Sequence, residues 1–110
     1  MARYSAFMDW FGADGSVGMK VPCFIDFDSN RIVVTYDVDG RGRSYSGQDI
    51  GHGHFKLNFD YGIGWASLHC FPPDGAGQLD EFPRKFEGSF VEEGYPGMWR
   101  IELIDKVSTL

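Results

Sequence analysis

Three histidines, two cysteines and a few neighbouring acids are the side chains of this chain that could bind metal or move protons. His52 and His54 stand two positions apart, and on a strand that spacing aims both imidazoles to one side, within reach of a single ion. A closed site needs further ligands. His69 and Cys70 are adjacent and therefore diverge to opposite faces of a strand, while Gly51 and Gly53 put His52 at a strand end in solvent. No metal and no cofactor is expected. Asp26-Phe27-Asp28-Ser29-Asn30 matches the opening of a calcium loop, but Arg31 stands where the loop's sharp turn wants glycine and Asp37 falls inside a strand pattern. A hairpin turn held by side-chain to backbone hydrogen bonds accounts for the same residues.

Paired acids at Asp80-Glu81 and Glu92-Glu93 are the raw material of glycoside hydrolysis, yet adjacent acids face apart and read as solvated charges. Ser67 and His69 share a strand face and form the one nucleophile and base couple. No Gly-x-Ser-x-Gly elbow and no placed orienting acid accompany them. The catalytic reading is thus a small hydrolase or isomerase with His69 or His54 as general base, and it requires a carboxylate within hydrogen-bond reach of that histidine. Gly40-Arg41-Gly42 and Gly51-His52-Gly53 open no helix that could receive a phosphate, so both are turns. The other candidates are aromatic. Rings beyond the needs of a core line pockets or interfaces, and Trp10, Trp65, Tyr95 and Trp99, with His69, are the residues expected to contact a ligand.

Strands must position these groups, because apolar residues recur at every second place and Gly, Asp, Asn or Pro cut the pattern about every ten residues. Arg3 to Phe11 is the first strand, ending at Gly12-Ala13-Asp14-Gly15. Val17 to Phe27 follows, with Val21, Cys23, Ile25 and Phe27 on one face and Pro22 marking an edge or bulge. Asp28-Ser29-Asn30 turns into Arg31 to Val38, where Ile32, Val34, Tyr36 and Val38 share a face. Further strands run from Arg43 to Gln48, from His52 to Tyr61 and from Gly64 to Phe71. In the last of these, Trp65, Ser67, His69 and Phe71 oppose Ala66, Leu68 and Cys70, so both faces are expected to be covered. Pro72 to Pro83 is the long connection, a lid or a plug. Arg84 to Glu92 and Gly97 to Ile104 close the series, and the tail over residues 106–110 is expected to fray.

The fold class is all-β: about eight short antiparallel strands in meander order forming a small closed or nearly closed barrel, with a two-sheet sandwich or roll as the alternative. The 110 residues suffice for one domain over 1–110, and the 16% aromatic share suits strands. A net charge of −6 repels phosphate backbones and anionic headgroups, so neither nucleic acid nor membrane is expected as a partner. Without a signal-like N-terminus or an apolar run long enough to span a bilayer, the expected location is cytoplasmic, with Cys23 and Cys70 reduced.

Tyr45-Ser46-Gly47, followed after six residues by His54-Phe55-Lys56-Leu57, is echoed by Phe86-Glu87-Gly88, followed after nine by Met98-Trp99-Arg100-Ile101. Each pairs aromatic-x-Gly with an aromatic-x-aliphatic strand. The hairpins resemble those of the calycin-like barrels, the lipocalins and avidins, and the resemblance implies a barrel wrapped around a small apolar or amphipathic ligand. It implies no binding residues, since Trp10-Phe11-Gly12 has another order than the lipocalin Gly-x-Trp. The expected function is therefore a non-enzymatic barrel that binds a small, partly apolar molecule inside or self-associates, as a homodimer, through its outer face.

Overall fold

A computed structural model of the chain describes residues 2–28, 30–71 and 85–109. Eight antiparallel strands follow one another around a closed barrel: β1 (Ala2–Gly12), β2 (Val17–Phe27), β3 (Arg31–Val38), β4 (Arg41–Asp49), β5 (His54–Phe59), β6 (Gly64–Phe71), β7 (Lys85–Glu92) and β8 (Tyr95–Thr109). Closure is made by β1 against β8, from Ala2 opposite Thr109 to Gly12 opposite Gly97. The barrel, and not the sandwich, is the arrangement adopted. The Pro72 to Pro83 connection lies outside the described residues.

Alternation sets what faces inward. Tyr4, Ala6 and Met8 of β1, Cys23 and Ile25 of β2, Ile32 and Val34 of β3, and Phe55, Leu57 and Phe59 of β5 are all buried. The interior is filled with side chains. Phe27, Phe55 and Phe86 form a ring cluster at one end, with centroids 5.5 to 6.2 Å apart, and Tyr36, Tyr45, Phe59, Phe90 and Trp99 form a second cluster at the other. The expected ligand chamber inside the barrel is replaced by this double plug of aromatics.

Turn chemistry follows from residue type. Asp39-Gly40 and Glu93-Gly94 both have positive φ at their two central positions, 52° and 77° in one and 51° and 83° in the other, the backbone of two-residue hairpins. Asp28 holds its own turn: its Oδ1 accepts from the backbone N–H groups of Asn30 and Arg31 at 2.9 and 2.8 Å. Asp26 accepts a two-pronged bond from Arg3, directly across on β1, at 2.8 and 3.0 Å.

Pro22 takes an edge position, as expected: it lies opposite Phe7 in the β1–β2 ladder, but β2 pairs with β3 only from Cys23 onward, so its missing N–H is not asked for on that side. Two features depart from the sequence reading. The predicted fifth strand is trimmed to His54–Phe59, because His52 and Gly53 take positive φ in the preceding turn. The last strand does not end at Ile104. It runs on to Thr109 because β1 offers it a partner, and its register shifts leave Ile104 and Val107 unpaired and exposed.

Candidate functional site

At the end of the barrel carrying the 13–16, 39–40 and 93–94 turns, the strands splay around a recess of about 190 Å³. Trp10, Tyr36, Val38, Phe90, Tyr95 and Trp99 make its apolar walls, and Arg43 and Glu92 its polar floor. Three of the five predicted contact residues, Trp10, Tyr95 and Trp99, are therefore brought together. The other two are not. Trp65 and His69 alternate outward on β6, where Trp65 is 52% exposed and stands between Asn58 and Val91 on the outer wall.

Glycines shape the rim. The Trp10 indole lies over Gly18, the Tyr95 ring over Gly12 and the Phe90 ring over Gly97; a β-carbon at any of the three would collide with that ring. Trp10 owes its aim to a bulge. Met8 pairs with Val21 but Trp10 with Gly18, so β2 carries an extra residue opposite Asp9, and the Asp9 carboxylate accepts the Lys20 N–H at 2.8 Å. The Tyr95 hydroxyl donates to Asp14 at 2.7 Å and ties the last hairpin to the first. The Ser16 backbone N–H and this hydroxyl hold the Asp14 carboxyl below its usual range.

Glu92 lies on the core face of β7, in phase with Phe86 and Phe90, and Arg43 lies on the core face of β4, in phase with Tyr45. The Tyr45 hydroxyl donates to Glu92 Oε1 at 2.8 Å, and Arg43 Nε lies 2.9 Å from Oε2. Both carboxylate oxygens are thus engaged by the protein. Burial first and the neighbouring Glu92 second push the Tyr36 and Tyr45 phenols up, so both remain neutral donors. Among the described residues no hydrogen bond engages the Tyr36 hydroxyl; Arg43 sets Nε beside Glu92 as an ion pair and donates Nη1 to the Gly42 carbonyl at 3.4 Å, and no hydrogen bond engages Nη2. Sequence reading missed Arg43, Glu92 and Tyr36. The available signal was phase: a charged residue at a core position of a strand.

The catalytic alternative finds little support. Ser67 Oγ is 3.4 Å from Ser89 Oγ, His69 stacks on His54, and no histidine meets a carboxylate among the described residues. Burial pushes the Cys23 and Cys70 thiols up to about 12, far from thiolate chemistry at neutral pH.

No sequence family matches the chain, and no curated protein does. Among solved structures, the chain is similar to a redesigned β-barrel, with a TM-score of 0.55 and 11% identity over 94% of this chain and 90% of that one. The likeness is one of fold alone.

Proposed function

We propose that this barrel is a non-enzymatic binding protein whose mouth recess takes a small, partly apolar molecule. The carrying observation is the recess itself: aromatic walls above a floor where the carboxylate is satisfied and donors are left over. A pocket of about 190 Å³ suits one or two fused rings rather than a lipid chain, given that an apolar cavity of ~150 Å³ holds benzene. Glu92 is already neutralised by Arg43, and the spare donors are Tyr36 Oη and Arg43 Nη2, so the fitting ligand is a neutral planar ring with one hydrogen-bond acceptor. The proposed ligand thus sits at the barrel's mouth, not in its interior.

Native mass spectrometry of the protein from its own host is the direct test, with tryptophan fluorescence titration by naphthalene-2-carboxamide as the defined probe. A retained small-molecule mass and saturable quenching are expected, weakened several-fold, about 1 kcal/mol, by Tyr36→Phe and unchanged by Trp65→Phe. An adduct-free spectrum together with unsaturable quenching would discard the reading.

A second reading, a homodimer, is favoured by one row on the outer wall. Val17, Phe11 and Met98 sit side by side on β2, β1 and β8 and are 59%, 40% and 61% exposed. Dimer mass without adduct in the same spectrum, abolished by Met98→Glu, would move the weight to that role.

A further inference from the structure

Outside the recess, one pair of side chains has no part in the binding reading. His54 on β5 and His69 on β6 are direct cross-strand partners on the outer wall. Their rings stack, with centroids 4.0 Å apart and planes 25° from parallel. Among the described residues, His54 Nε2 is the buried side-chain nitrogen or oxygen left without a hydrogen-bond partner. Native proteins seldom carry such an orphan, because the desolvated group loses its water and gains nothing in return.

We propose that His54 and His69 chelate a late first-row divalent ion, of the class Cu²⁺, Ni²⁺ or Zn²⁺, with Glu87 as a third ligand. Imidazole nitrogens bind these ions at about 2.0–2.1 Å, so two nitrogens sharing one tetrahedral ion stand roughly 3.3 Å apart. In the stack the planes stand only 25° apart, so the in-plane nitrogen lone pairs do not yet converge, and both rings have to swing open about their side-chain torsions before one ion can lie in both planes. Glu87 continues the row. It is the cross-strand partner of His69 on β7, and its present bond is an exposed ion pair with Arg100, Nε to Oε2 at 3.0 Å. Such pairs are weak and readily exchanged. No three ligands stand pre-assembled among the described residues, so Glu87 has to leave Arg100 and water completes the shell.

The surroundings favour the neutral imidazole that a metal requires. Burial above all, then the charges of His69 and Lys56, lower the His54 pKa, while Asp49 opposes them. Lys56 also repels an incoming cation; Asp49 and Glu87 attract it. Hard ions that prefer oxygen, such as Ca²⁺ and Mg²⁺, gain nothing from two imidazoles.

The test is calorimetric titration of the untagged full chain with Ni²⁺ and Zn²⁺ near pH 7.5, together with the electron paramagnetic resonance spectrum of the Cu²⁺ adduct. One ion per chain and hyperfine splitting from two nitrogens are expected. His54→Gln and His69→Gln should each weaken binding at least about tenfold, and Glu87→Gln by a smaller factor. His52→Ala, in the preceding turn, should bind as the parent does, and Ca²⁺ should give no heat. A metal ion competes with protons for imidazole nitrogen, so affinity should fall as the solution is acidified. Absence of binding at millimolar ion would overturn the proposal, as would full affinity in His69→Gln or loss of the site in His52→Ala. Because the copper spectrum is read on the parent protein, a variant that misfolds does not protect the idea. Ligand binding in the recess neither requires nor reports this site.

Discussion

Glu92 is a carboxylate on the core face of a strand, and it is stable there because Tyr45 and Arg43 share its charge while the mouth of the barrel keeps some water near. Removing it leaves Arg43 as a largely buried cation with no counter-charge and Tyr45 as a donor with no acceptor. Glu92→Ala should therefore lose about 3 kcal/mol in urea unfolding, whereas Arg43→Met with Glu92→Leu should recover most of that loss. Equal losses in the single and double variants would mean that the pair does not couple. At this scale the sequence was only partly legible. Trp10, Tyr95 and Trp99 could be picked out by type, but Trp65 and His69 could not be placed. Ser67 sits among apolar residues on one face of β6 while Ala66, Leu68 and Cys70 line the other, so alternation alone did not say which face was core. Closure of the barrel decided it. Glu92 was read with Glu93 as a solvated charge because adjacent acids face apart and make no working pair; that same divergence turns one of the two toward the barrel's interior.

Strand bending is carried by glycines that the sequence displayed as a repeat and the structure explains. Tyr45 and Phe86 are fully buried, and the glycine two residues after each, Gly47 or Gly88, presses against the adjoining strand's backbone. A β-carbon at Gly47 would occupy the position of the Lys56 carbonyl, and one at Gly88 that of the Ser67 carbonyl. This is how a sheet turns the corner needed to close. Gly47→Ala and Gly88→Ala should each cost about 3 kcal/mol or more, because backbone cannot yield as a side chain does. Gly15→Ala, in open space at φ +90°, should cost only about 1–2 kcal/mol. Urea midpoints of the three variants, compared at constant slope, would test the order; equal losses would contradict it. The aromatic-x-Gly motif was visible in the sequence, and so was the turn at Gly40, although Arg41 and Gly42 already belong to β4. The bulge at Lys20 was not, since it answers to a hydrogen bond that the Lys20 N–H donates to Asp9 on another strand.

The whole molecule depends on one seam. All other pairings join strands adjacent in the chain, but β1 meets β8, and the stretch from Asp105 to Thr109 supplies partners for Ala2, Arg3, Tyr4 and Ser5. Local pattern gave no reason for those residues to be ordered, which is why a frayed tail was the expectation; the reason lies about a hundred residues away. A chain ending at Ile104 should lose about 2–3 kcal/mol from the missing ladder bonds, with a melting temperature roughly 10 °C lower. Sedimentation should also show it associating through the uncovered edge of β1. An unchanged melt would mean that the seam is closed by its other half alone.

The seam also sets a timetable. On the ribosome, β1 is made well before β8, and at roughly 5–20 residues per second several seconds pass before that partner emerges. Hairpins can zip in order as they appear, but β1 waits until β8 is made, with one flank open and Ala6 and Met8, buried in the closed barrel, not yet covered. For this protein, the hazardous moment is the interval before closure, and a holding chaperone that covers the first strand would act there.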